Sequence, residues 1–195
     1  MRMIAVEDVL ALAGRLLIAT PLLGEAPFFR TVIAVLEHGA ASGALGVVLN
    51  RPLTVAVGDV LAIGPDVASA PAVLFQGGPV SPETAIAVGL PSPDAGAAAA
   101  AACRPSAPPY VTVDLDADPD LLARAVRRLR VFAGYAGWAV GQLEAEIREG
   151  AWYVVDSLPD DVFGAEPETL WRRVLRRQGW PLAAVATCPV DPSLN

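Results

Sequence analysis

The chain has 195 residues, 54% hydrophobic and 18% charged, a composition that excludes disorder and leaves room for one domain with its own core. All 14 of its Lys/Arg positions are arginine, which excludes chemistry that needs a lysine of its own, such as a Schiff base, a pyridoxal-phosphate anchor or a P-loop. The formal charge is −7, and neither half is basic, so direct DNA binding is disfavoured. From the N-terminus, Arg2 is followed by Glu7 and Asp8, acids that a secretory leader would not carry in its apolar stretch. No run of 18 apolar residues is free of charge, Pro or Gly, so no transmembrane helix is predicted. A cytoplasmic protein follows, with Cys103 and Cys188 as free thiols.

Leu16–Thr20 reads as a strand buried on both faces and stopped by Pro21. Phe29–Glu37 and Ala44–Asn50 read as two further strands, joined by the turn composition of His38–Gly43 into an antiparallel hairpin. Pro52 ends the second of them. Val57–Ile63 reads as a short helix, Ala72–Gln76 as a buried strand and Thr84–Leu90 as a weaker one. Pro91–Pro109 is rich in Ala and Pro and reads as a mobile surface loop carrying a short alanine helix. Tyr110–Leu115 alternates as a half-exposed strand. Asp118 and Pro119 start a helix whose apolar face takes Leu121, Leu122, Ala125, Val126 and Leu129. On this reading the arginines between Arg124 and Arg130 form its solvated side. Val131–Tyr135 is the next strand. Ala139–Glu149 is a helix with Val140, Leu143 and Ile147 inward, and Trp152–Val155 is a strand. A last helix spans Pro167–Gln178, with Leu170, Trp171, Val174 and Leu175 inward and Arg172, Arg173, Arg176 and Arg177 outward. Strands dominate the first half and alternate with helices in the second, which predicts one mixed-sheet α/β or α+β domain over residues 1–195.

The chain has one histidine and two cysteines, and their spacing matches no metal motif, so no metal and no cofactor is expected. His38, next to Glu37, is either a hydrogen-bonding residue of the turn or a general base oriented by a carboxylate. Gly77 and Gly78 precede Pro79 in a turn whose amides could converge on an anion. Gly134, Gly137 and Gly141 surround a strand end and a helix start, where Tyr135 and Trp138 either wall a flat ligand or fill the core.

Four segments together resemble one family: Gly14–Pro21, Phe29–Pro52, Gly77–Val80 and Gly134–Ile147 with Trp152 after it. The runs EH-x4-GALG-x-VLNRP and GYAGW-x2-GQLE-x-EI carry the resemblance, which covers about residues 14–180 and points to the bacterial YqgE/AlgH family. That resemblance implies a curved, bifurcated mixed sheet forming a pseudo-barrel with flanking helices. It also brings a transcriptional-regulator label, but no catalytic residues. The residues of this chain that match the family pattern are Arg30, Glu37, His38, Asn50, Arg51, Gly77, Gly78, Gly134, Tyr135, Trp138, Gln142 and Glu144. After GGPV many members carry an Asp-Arg pair and then an aromatic strand ending in histidine. This chain has SPETAIAVGL there, so no role is expected from that pair or that histidine.

The function expected is a non-enzymatic regulatory module binding a small anion or a protein partner. Its groove would lie near the hairpin at 37–52 and the turn at 134–144, with no membrane partner. The alternative is a hydrolase or transferase using His38 with Glu37 or Glu144.

Overall fold

A strand with consecutive apolar residues must be covered on both faces, and the first two strands are placed accordingly. β1 (Arg15–Ala19) and β2 (Val32–Gly39) send Leu16, Ile18, Val32, Ala34 and Leu36 into one cluster. Leu17, Ala19, Ile33 and Val35 enter another on the opposite face. The computed structural model describes residues 12–24, 27–61 and 67–189.

The chain continues through β3 (Gly43–Val48), β4 (Pro52–Ala56), α1 (Val57–Val60), β5 (Val73–Gln76), β6 (Val80–Pro91), α2 (Ala97–Ala100), β7 (Cys103–Pro105) and β8 (Val111–Val113). Then come α3 (Pro119–Ala125), β9 (Val126–Trp138), α4 (Gln142–Arg148), β10 (Trp152–Asp156), α5 (Pro159–Phe163), a 3-10 turn (Pro167–Thr169), α6 (Leu170–Arg177) and α7 (Leu182–Val185). The sheet runs β10-β1-β2-β3-β9-β6-β8-β7 and does not close on itself. Its strand pairs are antiparallel apart from β5 with β9.

The sheet forks at β9. On one edge of that strand, Ala136–Trp138 pair with β3, while Phe132 and Ala133 pair with β5. The other edge carries β6 along most of its length. Gly134 sits between the two branches in the left-handed region, at φ 71°. A side chain there would meet the carbonyl oxygens of Val80 and Gly78 at 2.8 and 2.9 Å. The fold is therefore α+β, an open, bifurcated mixed sheet flanked by helices.

The helices cover the sheet with the apolar stripes the sequence predicts, with three differences. Leu170, Trp171, Val174 and Leu175 of α6 are all buried against the first cluster. The Trp171 indole also donates to the Ala19 carbonyl at 2.9 Å. α3 starts where predicted, with the Asp118 carboxylate accepting from the amides of Asp120 and Leu121. It stops at Ala125, however, and Val126–Arg130 belong to β9. Pairing with β6 over Leu129, Arg128 and Val126 outweighs the helical spacing of the apolar residues. Val140 is the second difference. It precedes α4 rather than lying inside it and is exposed, while Leu143 is buried. The third is Pro91–Pro109, where the alanine helix is present and Ala99 and Ala102 pack into a third cluster with α3 and β9. Cys103–Pro105 pair with β8 as an edge strand. The predicted helix at Val57–Ile63 is seen as α1, and residues 62–66 lie outside the described residues.

Arg130 corrects the expectation of a solvated arginine face. It is 2% exposed inside β9, with its guanidinium carbon 4.2 Å from the centre of the Phe75 ring. Its Nη1 donates to the Val162 carbonyl at 2.8 Å, and Nη2 to those of Ala70 and Gly164 at 2.7 and 3.1 Å. Burial lowers its pKa from 12.5 to about 10, so it stays charged at neutral pH. Three carbonyl dipoles and an aromatic face stand where a carboxylate would be expected.

Candidate functional site

The twelve residues singled out in the sequence separate into two ends of the β2–β3 hairpin and an interior group. The eight residues of β2 between the ends span about 25 Å at roughly 3.3 Å per residue.

At the hairpin end, Glu37, Tyr135 and Trp138 line a cleft of about 370 Å³ together with Gly43. His38 does not line it. Its Nε2 lies 2.8 Å from Glu144 Oε1, and its side chain is only 4% exposed. Successive strand residues face opposite sides, so Glu37 and His38 point apart, and the histidine is covered by α4.

The rest of the GYAGW-x2-GQLE-x-EI run organises itself around Glu146, which sequence reasoning passed over. Its Oε2 accepts from the Trp138 indole at 2.9 Å and the Trp152 indole at 2.8 Å, and its Oε1 accepts from Gln142 Nε2 at 3.0 Å. The two indoles meet edge to face at 6.2 Å. Gln142 also accepts from the Ala139 amide at 3.0 Å, which closes the start of α4. The one signal available for Glu146 is its place four residues after Gln142 on the same helical face.

Gly77, Gly78 and Gly134 are buried and their surroundings are backbone. A Cβ on Gly77 would lie 2.2 Å from the Gly134 carbonyl oxygen, and one on Gly78 would lie 2.1 Å from the Tyr135 carbonyl carbon. The Gly77 amide donates to the Ala133 carbonyl at 2.8 Å, and its carbonyl accepts from the Val48 amide at 2.8 Å. These groups serve close strand packing at the fork, and the turn holds no open anion nest.

At the other end, Arg30, Asn50 and Arg51 come together. Asn50 is 6% exposed and bridges two backbone groups, accepting from the Val32 amide at 2.9 Å and donating to the Arg30 carbonyl at 2.8 Å. This holds Arg30 at φ 52°, in the left-handed region. Arg51 Nη2 donates to the Phe29 carbonyl at 2.5 Å. The strand-ending Asn-Arg-Pro thus fastens the Phe29–Arg30 turn.

Arg30 and Arg51 line a cleft of about 670 Å³ whose far wall is α6, which contributes Arg172, Arg173 and Arg176. The carboxylates on this cleft are Glu166 and Glu168. The Arg30 guanidinium lies over the Trp171 ring and donates through Nη2 to the carbonyl of Cys188 at 2.6 Å and to that of Pro189. Burial and the neighbouring Arg172 charge both lower the pKa of Arg30, and burial lowers that of Arg51. Like charges held this close favour an anion between them. Arg30 and Arg51 belong to a family-matching segment and the arginines of α6 to an outward helix face, yet in three dimensions they line one cleft. Among the described residues no group of three or more His, Cys, Asp or Glu is placed to hold a metal. No described helix is long and apolar enough to cross a membrane.

Comparison with known proteins agrees with this fold. The chain is 53% identical over 194 residues to a UPF0301 protein of Streptomyces coelicolor, covering 99% of this chain and all of the relative. It is 46% identical over 183 residues to one of Mycobacterium ulcerans, covering 94% and 90%. Among solved structures, a Corynebacterium diphtheriae protein matches with a TM-score of 0.82 and 35% identity over 90% of this chain and 92% of that one. The AlgH protein of Pseudomonas aeruginosa matches at 0.66 and 25%, over 92% and 95%. The family model described as AlgH-like matches residues 16–183, a span that holds both ends of the hairpin and the α6 wall, and the chain belongs to that family.

Proposed function

We propose that this protein is a non-enzymatic, cytoplasmic anion-binding module with a regulatory role, and that its site is the cleft between Arg30, Arg51 and α6. The observation that carries this reading is five arginines facing two carboxylates on one cleft, in a chain whose formal charge is −7. Against that background, a local cationic recess selects small anions that enter it and repels extended ones that cross the acidic surface. The burial of His38 behind α4 supports the non-enzymatic part. The two free cysteines support the cytoplasmic part. The regulatory label of the family fits a protein that senses a metabolite rather than converting it.

The test is thermal denaturation and calorimetry of the full chain against chloride, sulfate, phosphate and citrate. A multivalent anion at a hundred times its Kd adds about 2.7 kcal/mol to stability. The expected result is stabilisation by at least one multivalent anion, lost in Arg172→Ala. Equal melting in all four salts would remove the reading.

A further inference from the structure

The arginine cleft shares Glu166 and Arg173 with a second cleft of about 580 Å³. The walls of that second cleft add Arg127 and Arg128 from β9. Ser69 lies on it too, with a buried hydroxyl that has no hydrogen-bond partner among the described residues. Asp160, on the second cleft, braces the shared Glu166–Arg173 ridge. Its carbonyl accepts from Arg173 Nη2 at 3.1 Å, and its carboxylate pairs with Arg128 Nη1 at 2.6 Å. Arg173 and Arg128 therefore both bond to Asp160, the first through its neutral carbonyl and the second through its carboxylate.

Taken as one trough, the two adjoining clefts carry seven of the 14 arginines and three carboxylates. The rest of the chain carries the other seven arginines and 18 carboxylates. One small anion would engage two or three guanidinium forks and leave the others unneutralised. A duplex or a long polymer would run from the trough onto the acidic remainder and be repelled there. The occupant that meets both conditions is short, linear and charged at every unit. Guanidinium groups bind phosphate oxygens through paired parallel hydrogen bonds, and the Ser69 hydroxyl supplies one more donor.

We propose that the trough binds a short phosphoanhydride chain, running from Arg30 and Arg51 across the Glu166–Arg173 ridge to Arg127 and Arg128. This rests on the anion-binding reading above and adds the chemical class and the length of the ligand. An inorganic oligophosphate and the phosphate tail of a nucleotide share that chemistry.

The experiment is isothermal titration of the full chain at fixed low ionic strength with orthophosphate, pyrophosphate, tripolyphosphate and ATP. It is run on the wild type and on Arg127→Ala, an exposed position whose loss leaves the first cleft whole. Affinity is expected to rise at least tenfold from orthophosphate to tripolyphosphate. Arg127→Ala is expected to lower tripolyphosphate affinity at least fivefold and to change orthophosphate affinity less than twofold. ATP matching tripolyphosphate assigns the chain alone as the recognised group. ATP binding more tightly assigns a nucleotide. Equal affinity for orthophosphate and tripolyphosphate, or an Arg127→Ala variant that binds both as the wild type does, would overturn the two-cleft proposal and leave single-anion binding standing. If sulfate, phosphate and citrate fail alike in the thermal experiment above, the underlying reading fails instead.

Discussion

The Arg30 guanidinium lies over the Trp171 indole, 4.7 Å from guanidinium carbon to ring centre, and thereby joins the turn before β2 to the helix that forms the far wall of the cleft. Phe29 lies 5.4 Å from the same guanidinium. A planar cation stacks on such faces while its edge donors still bond in its own plane, as Nη2 does here to the Cys188 and Pro189 carbonyls, which a compact ammonium cannot do. Arg30→Lys is therefore expected to weaken multivalent-anion binding about tenfold although the charge is kept. Calorimetric titration with phosphate checks it, and unchanged affinity would show that charge alone matters at this position.

Glu146 joins Trp138, Trp152 and Gln142 through three hydrogen bonds to one half-buried carboxylate. Hydrogen bonds to a charged group contribute about 1.5–3 kcal/mol each, and an indole N–H left unpaired in the interior adds a desolvation cost. Glu146→Ala is expected to lose about 3 kcal/mol in urea unfolding, with a change in the near-ultraviolet circular dichroism of the tryptophans. A loss below about 1 kcal/mol would mean that water replaces the carboxylate.

Two glycines of the family motifs should respond in opposite ways. At Gly78 a methyl group would lie 2.1 Å from the Tyr135 carbonyl carbon, so the fork of the sheet must open to admit it. Gly141 has φ 76° and open space around its Cβ position, so alanine there meets only backbone strain of about 1 kcal/mol. Gly78→Ala is expected to cost about 3 kcal/mol or more, or to prevent soluble expression. Gly141→Ala should melt within a few degrees of the wild type.

Acid stability should report on the His38–Glu144 pair. Burial raises the Glu144 pKa, but its own backbone amide, the His38 hydrogen bond and the nearby charges of His38 and Arg148 outweigh this, so the net position is below the usual carboxylate range. A carboxyl whose folded value is depressed contributes stability above its unfolded value of about 4.3. That contribution is lost as pH falls through the folded value. The wild type should therefore lose stability below pH ~4 more steeply than Glu144→Gln, measured as the urea midpoint against pH. Parallel curves would show that the pair adds nothing to acid sensitivity.

Many of the individual strands were readable along the chain because their signals are local. LLIA announces a strand covered on both faces, and Asp118-Pro119 announces a helix start. The path of β9 was less readable. Its first residues have helical spacing, and only a partner some 40 residues earlier in sequence, β6, makes them a strand. Arg130 carries no local mark of its burial either. Its neighbours Arg127 and Arg128 are exposed and half-buried, and the carbonyls of Ala70, Val162 and Gly164 that satisfy it come from distant segments.

The candidate site divides in the same way. Composition and motif by themselves determined that the only strong cations are arginines, that lysine chemistry is absent, and which residues form the two long family runs. The tertiary structure decided which of those residues meet. It parted Glu37 and His38 from Arg30 and Arg51 by the length of a strand, and turned Gly77, Gly78 and Gly134 into backbone contacts. It also brought the helical arginines opposite Arg30 and Arg51. A motif records residue type and spacing along one dimension. A cleft is made where elements far apart in the chain pack face to face, and that packing depends on apolar surfaces burying one another rather than on the charges that end up at their rim.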